Sequence, residues 1–186
     1  MSFIAKIASI CALSKGAQEF IRTHAKTFDF KKGELVLEAG ATCEYLYSIN
    51  TGMLRGFYFH ESKEITNWFA HEEEFGTSIY SFISRHKCYE TIEALEKTSV
   101  EALHYKDLTK LYEQFPETEK AGRLIMEEYY LRLEERIMYI QFKTAKERYD
   151  HFYKHRREVI KRAPLGCIAA YLGITQETLS RIRAEK

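Results

Sequence analysis

Near its C-terminal end the chain sets Thr175, Gln176, Glu177, Thr178, Ser180, Arg181 and Arg183 close together. These side chains are a planar amide, a carboxylate, hydroxyls and two guanidiniums, which suit the edges of nucleic-acid bases and the phosphates beside them. Arg181 can grip the O6 and N7 of a guanine, Gln176 can pair with adenine or a phosphate, and Glu177 can accept from a cytosine amino group. The seven residues are the candidate DNA-binding set.

What must position them is legible just upstream. Leu165, Ile168, Ala169 and Leu172 share one helical face, and Gly173 follows, able to take the left-handed conformation that ends a helix. Ile174 can fill the space under the turn, Thr175 suits an N-cap, and Leu179 and Ile182 give the next helix a buried side. The small Ala169 lies four residues before Gly173 and Leu179 six after it, the spacing of a helix-turn-helix. Recognition helices put their N-terminal residues on bases, which nominates Gln176 and Glu177 first and Arg181 one turn later.

The net charge of the 186 residues is only +1, but it is unevenly spread. Residues 143–186 carry 11 Lys and Arg against 5 Asp and Glu, while the remaining 142 carry 17 against 22. A basic end on a mildly acidic body suits a module that meets phosphate while the rest stays off it. A solvated basic helix would give the same count.

Earlier in the chain, 3–25 reads as two short helices, the second capped by Ser14. From Thr27 to His104, short runs rich in Tyr, Phe, Ile and Val alternate with turns at Gly33, Gly40 and Gly52, predicting an antiparallel β-roll or jelly roll. A short helix from Asp107 leads to Pro116, which fits the first turn of a long helix running to about Phe142. Along it Met126, Tyr130, Leu133, Ile137 and Ile140 form a stripe, with Leu124, Leu131, Met138 and Phe142 beside it. Packing on the β unit alone would explain one stripe; the breadth of the face adds a second copy of the same helix, hence a homodimer. A further helix is expected from Thr144 to about His155, and the charged run Arg156, Arg157, Glu158 marks a second domain. The expected class is α+β: an N-terminal antiparallel β-roll with flanking helices over 1–115, a dimerisation helix over 116–142 and a helix-turn-helix domain over 143–186.

This order of parts, with the match I-T-Q-E-T-L-S-R-I, resembles the Crp/Fnr family of bacterial transcription regulators. The resemblance implies a cyclic-nucleotide-binding type of β-roll, a roughly palindromic DNA site bound by a dimer, and RNA polymerase as a candidate further partner. The family's cassette reads Gly-Glu-Leu, then, after several residues, Arg-Ser or Arg-Thr and Ala; the matching stretch here is F-G-T-S-I-Y-S-F-I-S-R-H-K-C-Y-E. Gly76 is present, but Thr77 replaces the glutamate for the ribose. Lys87, or Arg85 out of register, stands where the phosphate-binding arginine belongs. A lysine gives a point charge without the two-pronged contact, so these departures argue against cyclic AMP. A different effector remains open, with Gly76, Thr77, Tyr80, Arg85, Lys87, Cys88 and Tyr89 as the candidate pocket.

Other classes are weaker. A cupin-type enzyme would need a His-x-His pair, which the sequence lacks. The four cysteines form no C-x-x-C pair, so no metal site or iron–sulfur cluster of standard spacing is written and no cofactor is expected. Neither a secretion signal nor a long apolar run is present, which points to the cytoplasm and away from the membrane. A small-molecule-binding signalling module without DNA binding is the alternative function.

Overall fold

In the computed structural model, residues 2–185 are described; Met1 and Lys186, the ends of the expected first and last segments, lie outside them. Two short helices, α1 (Phe3–Ala8) and α2 (Lys15–His24), open the chain. Ser2 and Ser14 cap them, each hydroxyl accepting a backbone N–H of the first turn.

Eight strands follow: β1 (Lys26–Phe30), β2 (Leu35–Leu37), β3 (Tyr45–Thr51), β4 (Met53–His60), β5 (Lys63–His71), β6 (Phe75–Gly76), β7 (Thr91–Ala94) and β8 (Thr98–His104), with α3 (Ile79–Ser84) between β6 and β7. They form two four-stranded sheets, β1-β8-β3-β6 and β2-β7-β4-β5, and every pairing is antiparallel. The alternation of apolar residues turns Tyr47, Ile49, Leu54, Ile92, Val100 and Ala102 into the space between the sheets, giving the roll a dry core. The expected β-roll is present. Phe75–Gly76 and Ile79–Ser84 are too short to show a period and carry no sequence signal for a strand or a helix.

After the roll come α4 (Tyr105–Gln114), α5 (Pro116–Phe142), α6 (Ala145–His155), α7 (Arg157–Arg162), α8 (Leu165–Leu172) and α9 (Gln176–Ala184). The 27-residue α5 begins at Pro116, as the missing proline N–H allows. Thr144 and Glu147 form a capping box at the head of α6. In the charged run, Arg156 is the N-cap of the short helix α7, and Arg157 and Glu158 form its first turn.

The C-terminal helices share their core with the roll. Tyr149, Phe152, Val159, Ile168, Leu172, Leu179 and Ile182 pack together with Met53 of β4, Phe69 of β5 and Leu95, the residue after β7. None of the helices among the described residues is long and apolar enough to cross a membrane.

Candidate nucleic-acid interface and sensor cleft

Helix α8 stops at Gly173, whose φ of 68° is the left-handed conformation that glycine takes at least cost. The chain turns through Ile174 and re-enters a helix at Thr175, whose hydroxyl accepts the Thr178 N–H at 3.2 Å. Leu179 and Ile182 are buried against α8, which carries Cys167, Ile168, Ala169 and Leu172 on its own buried side. The expected helix-turn-helix geometry is therefore present.

Its outer side is open. Gln176, Glu177, Ser180, Arg181 and Arg183 are exposed along α9, while Thr178 is half-buried and its hydroxyl lies 3.1 Å from that of Thr175. Thr175 and Thr178 thus build the helix end, and the other five residues form the polar surface. Its own backbone N–H and the Thr175 hydroxyl lower the Glu177 carboxyl below its ordinary value.

Not all of the basic tail faces outward. Arg162 reaches back to Glu72 and Glu96, and Arg156 to both oxygens of Glu74 at 2.6 and 3.0 Å. These guanidiniums hold the C-terminal helices on the roll. Lys161, by contrast, is exposed beside Glu158.

The cassette in the roll is occupied by the protein's own side chains. The six-membered ring of Trp68 lies against Gly76, where an added Cβ would come within 3.2 Å of it. Its indole N–H donates to Glu90 at 3.1 Å, and Asn67 donates to the same carboxyl oxygen at 3.2 Å. Gly56 makes room for this pair, since a Cβ there would sit 2.2 Å from the indole nitrogen. Glu90 is 2% exposed, and burial raises its carboxyl above the usual value despite these donors. Nothing in the residue pattern marks Trp68 or Glu90, whose contact joins β5 to the residue just before β7.

The seven candidate pocket residues do not converge. Thr77 donates its hydroxyl to the Tyr45 carbonyl at 2.9 Å, and Cys88 donates its thiol to the Glu38 carbonyl. Arg85 takes a φ of 61° at the end of α3 and turns its guanidinium to the Cys43 and Phe82 carbonyls and Glu44, stacked over Tyr105. Lys87 is exposed. Tyr80 and Tyr89 are half-exposed with ring centroids 5.8 Å apart.

Between α5, the roll and the C-terminal helices lies a cleft of about 770 Å³, of the size that small-molecule sites have. Of the seven, Gly76 and Thr77 line it, beside Trp68, Phe75, Tyr129, Leu133, Arg136, Phe152 and Tyr171. Further out on α5, Tyr130, Leu131, Ile137, Met138 and Phe142 are exposed.

Residues 27–115 match the model of the cyclic nucleotide-binding domain. No curated protein sequence matches the chain. Among solved structures it is similar to FixK2 from Bradyrhizobium japonicum, with TM-score 0.70 and 22% identity over 87% of this chain and 83% of that one. It is similar to a transcriptional regulator assigned to the Crp/Fnr family from Eubacterium rectale, with TM-score 0.73 and 18% identity over 93% and 83%. A third is the c-di-GMP-responsive global regulator CLP of Xanthomonas campestris, with TM-score 0.66 and 15% identity over 92% and 91%. At these identities the likeness is one of fold.

Proposed function

We propose, for a chain that is Crp/Fnr-like in its nucleotide-binding-type domain and its fold, that it is a sequence-specific DNA-binding transcription regulator rather than an enzyme, working in the cytoplasm as a homodimer. The observation that carries this reading is α9. It is short and rigidly capped, buried by Leu179 and Ile182, and presents Gln176, Glu177, Ser180, Arg181 and Arg183 outward. Such a helix fits the major groove with its first turn on base edges.

The dimer is supported by the exposed apolar residues of α5, which a second α5 across a two-fold axis would cover. Two recognition helices related in this way read two half-sites, so the operator is a rough palindrome. RNA polymerase is the partner such a regulator would meet at a promoter.

Within the roll, Trp68 and Glu90 fill the space beside Gly76, and the cassette's own Arg85 is turned to the Cys43 carbonyl and Glu44. Both features speak for an effector other than a cyclic nucleotide. Selection of randomised oligonucleotides by the purified chain tests the reading. An enriched palindrome lost on Arg181→Ala supports it, and no enriched sequence at low or moderate salt overturns it in favour of a signalling module without DNA.

A further inference from the structure

Two guanidiniums that line the cleft have no carboxylate partner among the described residues. The cleft wall carries five Lys and Arg and three Glu, counting neither His. Glu74 is paired with Arg156 and Arg132 and Glu128 with Arg132, while Glu135 lies 3.2 Å from the His151 Nε2. Arg136 meets only uncharged carbonyl oxygens, those of Thr66 at 2.9 Å, the Asn67 side chain at 3.0 Å, the Asn67 backbone, and Tyr171 at 3.5 Å. Its Nε is buried with no acceptor. Arg148 likewise meets only carbonyls, those of Leu172 at 3.0 Å and Lys143 at 2.7 Å.

A half-buried cation is costly without an anion, and a buried N–H without an acceptor adds to that cost. Much of the remaining wall is aromatic: Trp68, Phe75, Tyr129 and Phe152 line it, and Tyr171 stacks on the Arg136 guanidinium at 4.4 Å. We infer that the cleft binds an aromatic carboxylate, its ring system between these aromatic walls and its carboxylate at Arg136 and Arg148. This inference names the ligand class for the effector left open in the proposed function and rests on that reading for its regulatory meaning alone.

The position gives binding a consequence. Tyr171 and Leu172, whose carbonyls the two arginines hold, form the last turn of α8, immediately before the Gly173 corner of the helix-turn-helix. An anion that draws these guanidiniums to itself loosens their hold on that turn. The ligand would thus touch the sensor roll, the long helix and the reading head at once.

Calorimetric titration of the full chain without DNA, using naphthoate and its neutral analogue naphthalene methanol, tests the inference. Naphthoate is expected to bind at least about tenfold more tightly than the alcohol, and Arg136→Gln and Arg148→Gln should each remove about that factor for naphthoate alone. Arg136→Lys, which keeps the charge, should retain part of it. Equal affinity for acid and alcohol, or naphthoate binding unchanged in both glutamine variants, overturns the inference. So does absence of binding by either probe to the folded wild-type chain, whether monomer or dimer. If a variant fails to fold, the comparison of acid with alcohol on the wild-type chain still decides. DNA is absent throughout, so failure of the regulator reading would show in oligonucleotide selection and leave this titration untouched.

Discussion

The guanidinium of Arg162 grips both carboxylate oxygens of Glu72, at 2.7 and 2.9 Å, across 90 residues of sequence. Glu96 accepts from the same guanidinium on its other side, with Nε at 3.1 Å. The contact ties α7 to the corner after β5 and so fixes the C-terminal helices on the second sheet. Arg162 holds the Glu72 carboxyl down at about 2, against an ordinary 4.5. A carboxyl lowered in the folded state contributes stability above its unfolded value and loses it as pH falls towards the folded one. Thermal unfolding followed from pH 6 to pH 2.5 should therefore weaken steadily below about pH 4.5. Arg162→Ala should flatten that part of the profile and cost about 1 kcal/mol at neutral pH, since the pair is partly solvated.

Glu90 should behave in the opposite sense. Burial raises its carboxyl, so the folded state holds the proton more tightly than the unfolded chain does. Its cost is absent at pH below the ordinary carboxyl value and grows as pH rises above it. Glu90→Gln is uncharged at every pH and keeps an oxygen that can accept from the Trp68 indole. The variant should lose less stability than the wild type between pH 5 and pH 8 in chemical denaturation. A wild type and variant with parallel profiles would mean that Glu90 is not the group that titrates.

At the turn of the helix-turn-helix, the Thr175 hydroxyl satisfies the Thr178 N–H, one of the donors that the first turn of α9 leaves without a helical partner. Thr175→Ala should cost about 1 kcal/mol in urea unfolding, and Thr175→Ser a few tenths at most. Leu179, fully buried in the core shared with Met53 and Phe69, should cost about 2 to 5 kcal/mol on change to Ala. Because roll and C-terminal helices share this core, both variants should lower one common transition rather than uncover a second.

The local parts of this architecture were legible in the residues. Gly173, Thr175, Leu179 and Ile182 place a turn, a cap and a buried face by short-range chemistry, and α5 announces itself with Pro116 and a long apolar period. What stayed hidden depends on distant contacts. No spacing rule joins Trp68 to Glu90 or Arg162 to Glu72, since each pair meets only after the sheets form. Arg85 and Lys87 looked alike as candidate phosphate ligands. The left-handed end of α3 instead turns Arg85 onto Glu44 and leaves Lys87 in solvent. The excess of positive charge after residue 143 was visible, but not that Arg156 and Arg162 spend theirs within the chain.

Arg181 is exposed one turn beyond the start of α9, where a guanidinium can reach the O6 and N7 of a guanine. Arg181→Ala should weaken binding to the selected operator by about 1 to 3 kcal/mol and relax the preference at a single base pair of each half-site. Lys161→Ala should weaken all sequences alike and reduce the salt dependence, because a phosphate contact carries no sequence information. Quantitative gel shifts against the operator and its single-base variants separate the two outcomes.

The outer face of α5 sets the last expectation. Ile137 is 48% exposed and stands with Tyr130 and Met138 on a helix that its own roll leaves uncovered on this side. Exposed apolar residues in such number stabilise an assembly when a like surface covers them, whereas scattered ones need no cover. Ile137→Glu adds a charge that the monomer can solvate but a symmetric helix pair would have to bury twice, facing its own copy. The variant should keep the wild-type circular dichroism and sediment as a monomer at concentrations where the wild type sediments as a dimer. Its affinity for a single half-site should match that of the wild type while its affinity for the full palindrome falls, since joining two reading heads raises the effective concentration of the second. A wild type that sediments as a monomer at every concentration, or an Ile137→Glu chain that still dimerises, would move the two-fold axis away from α5.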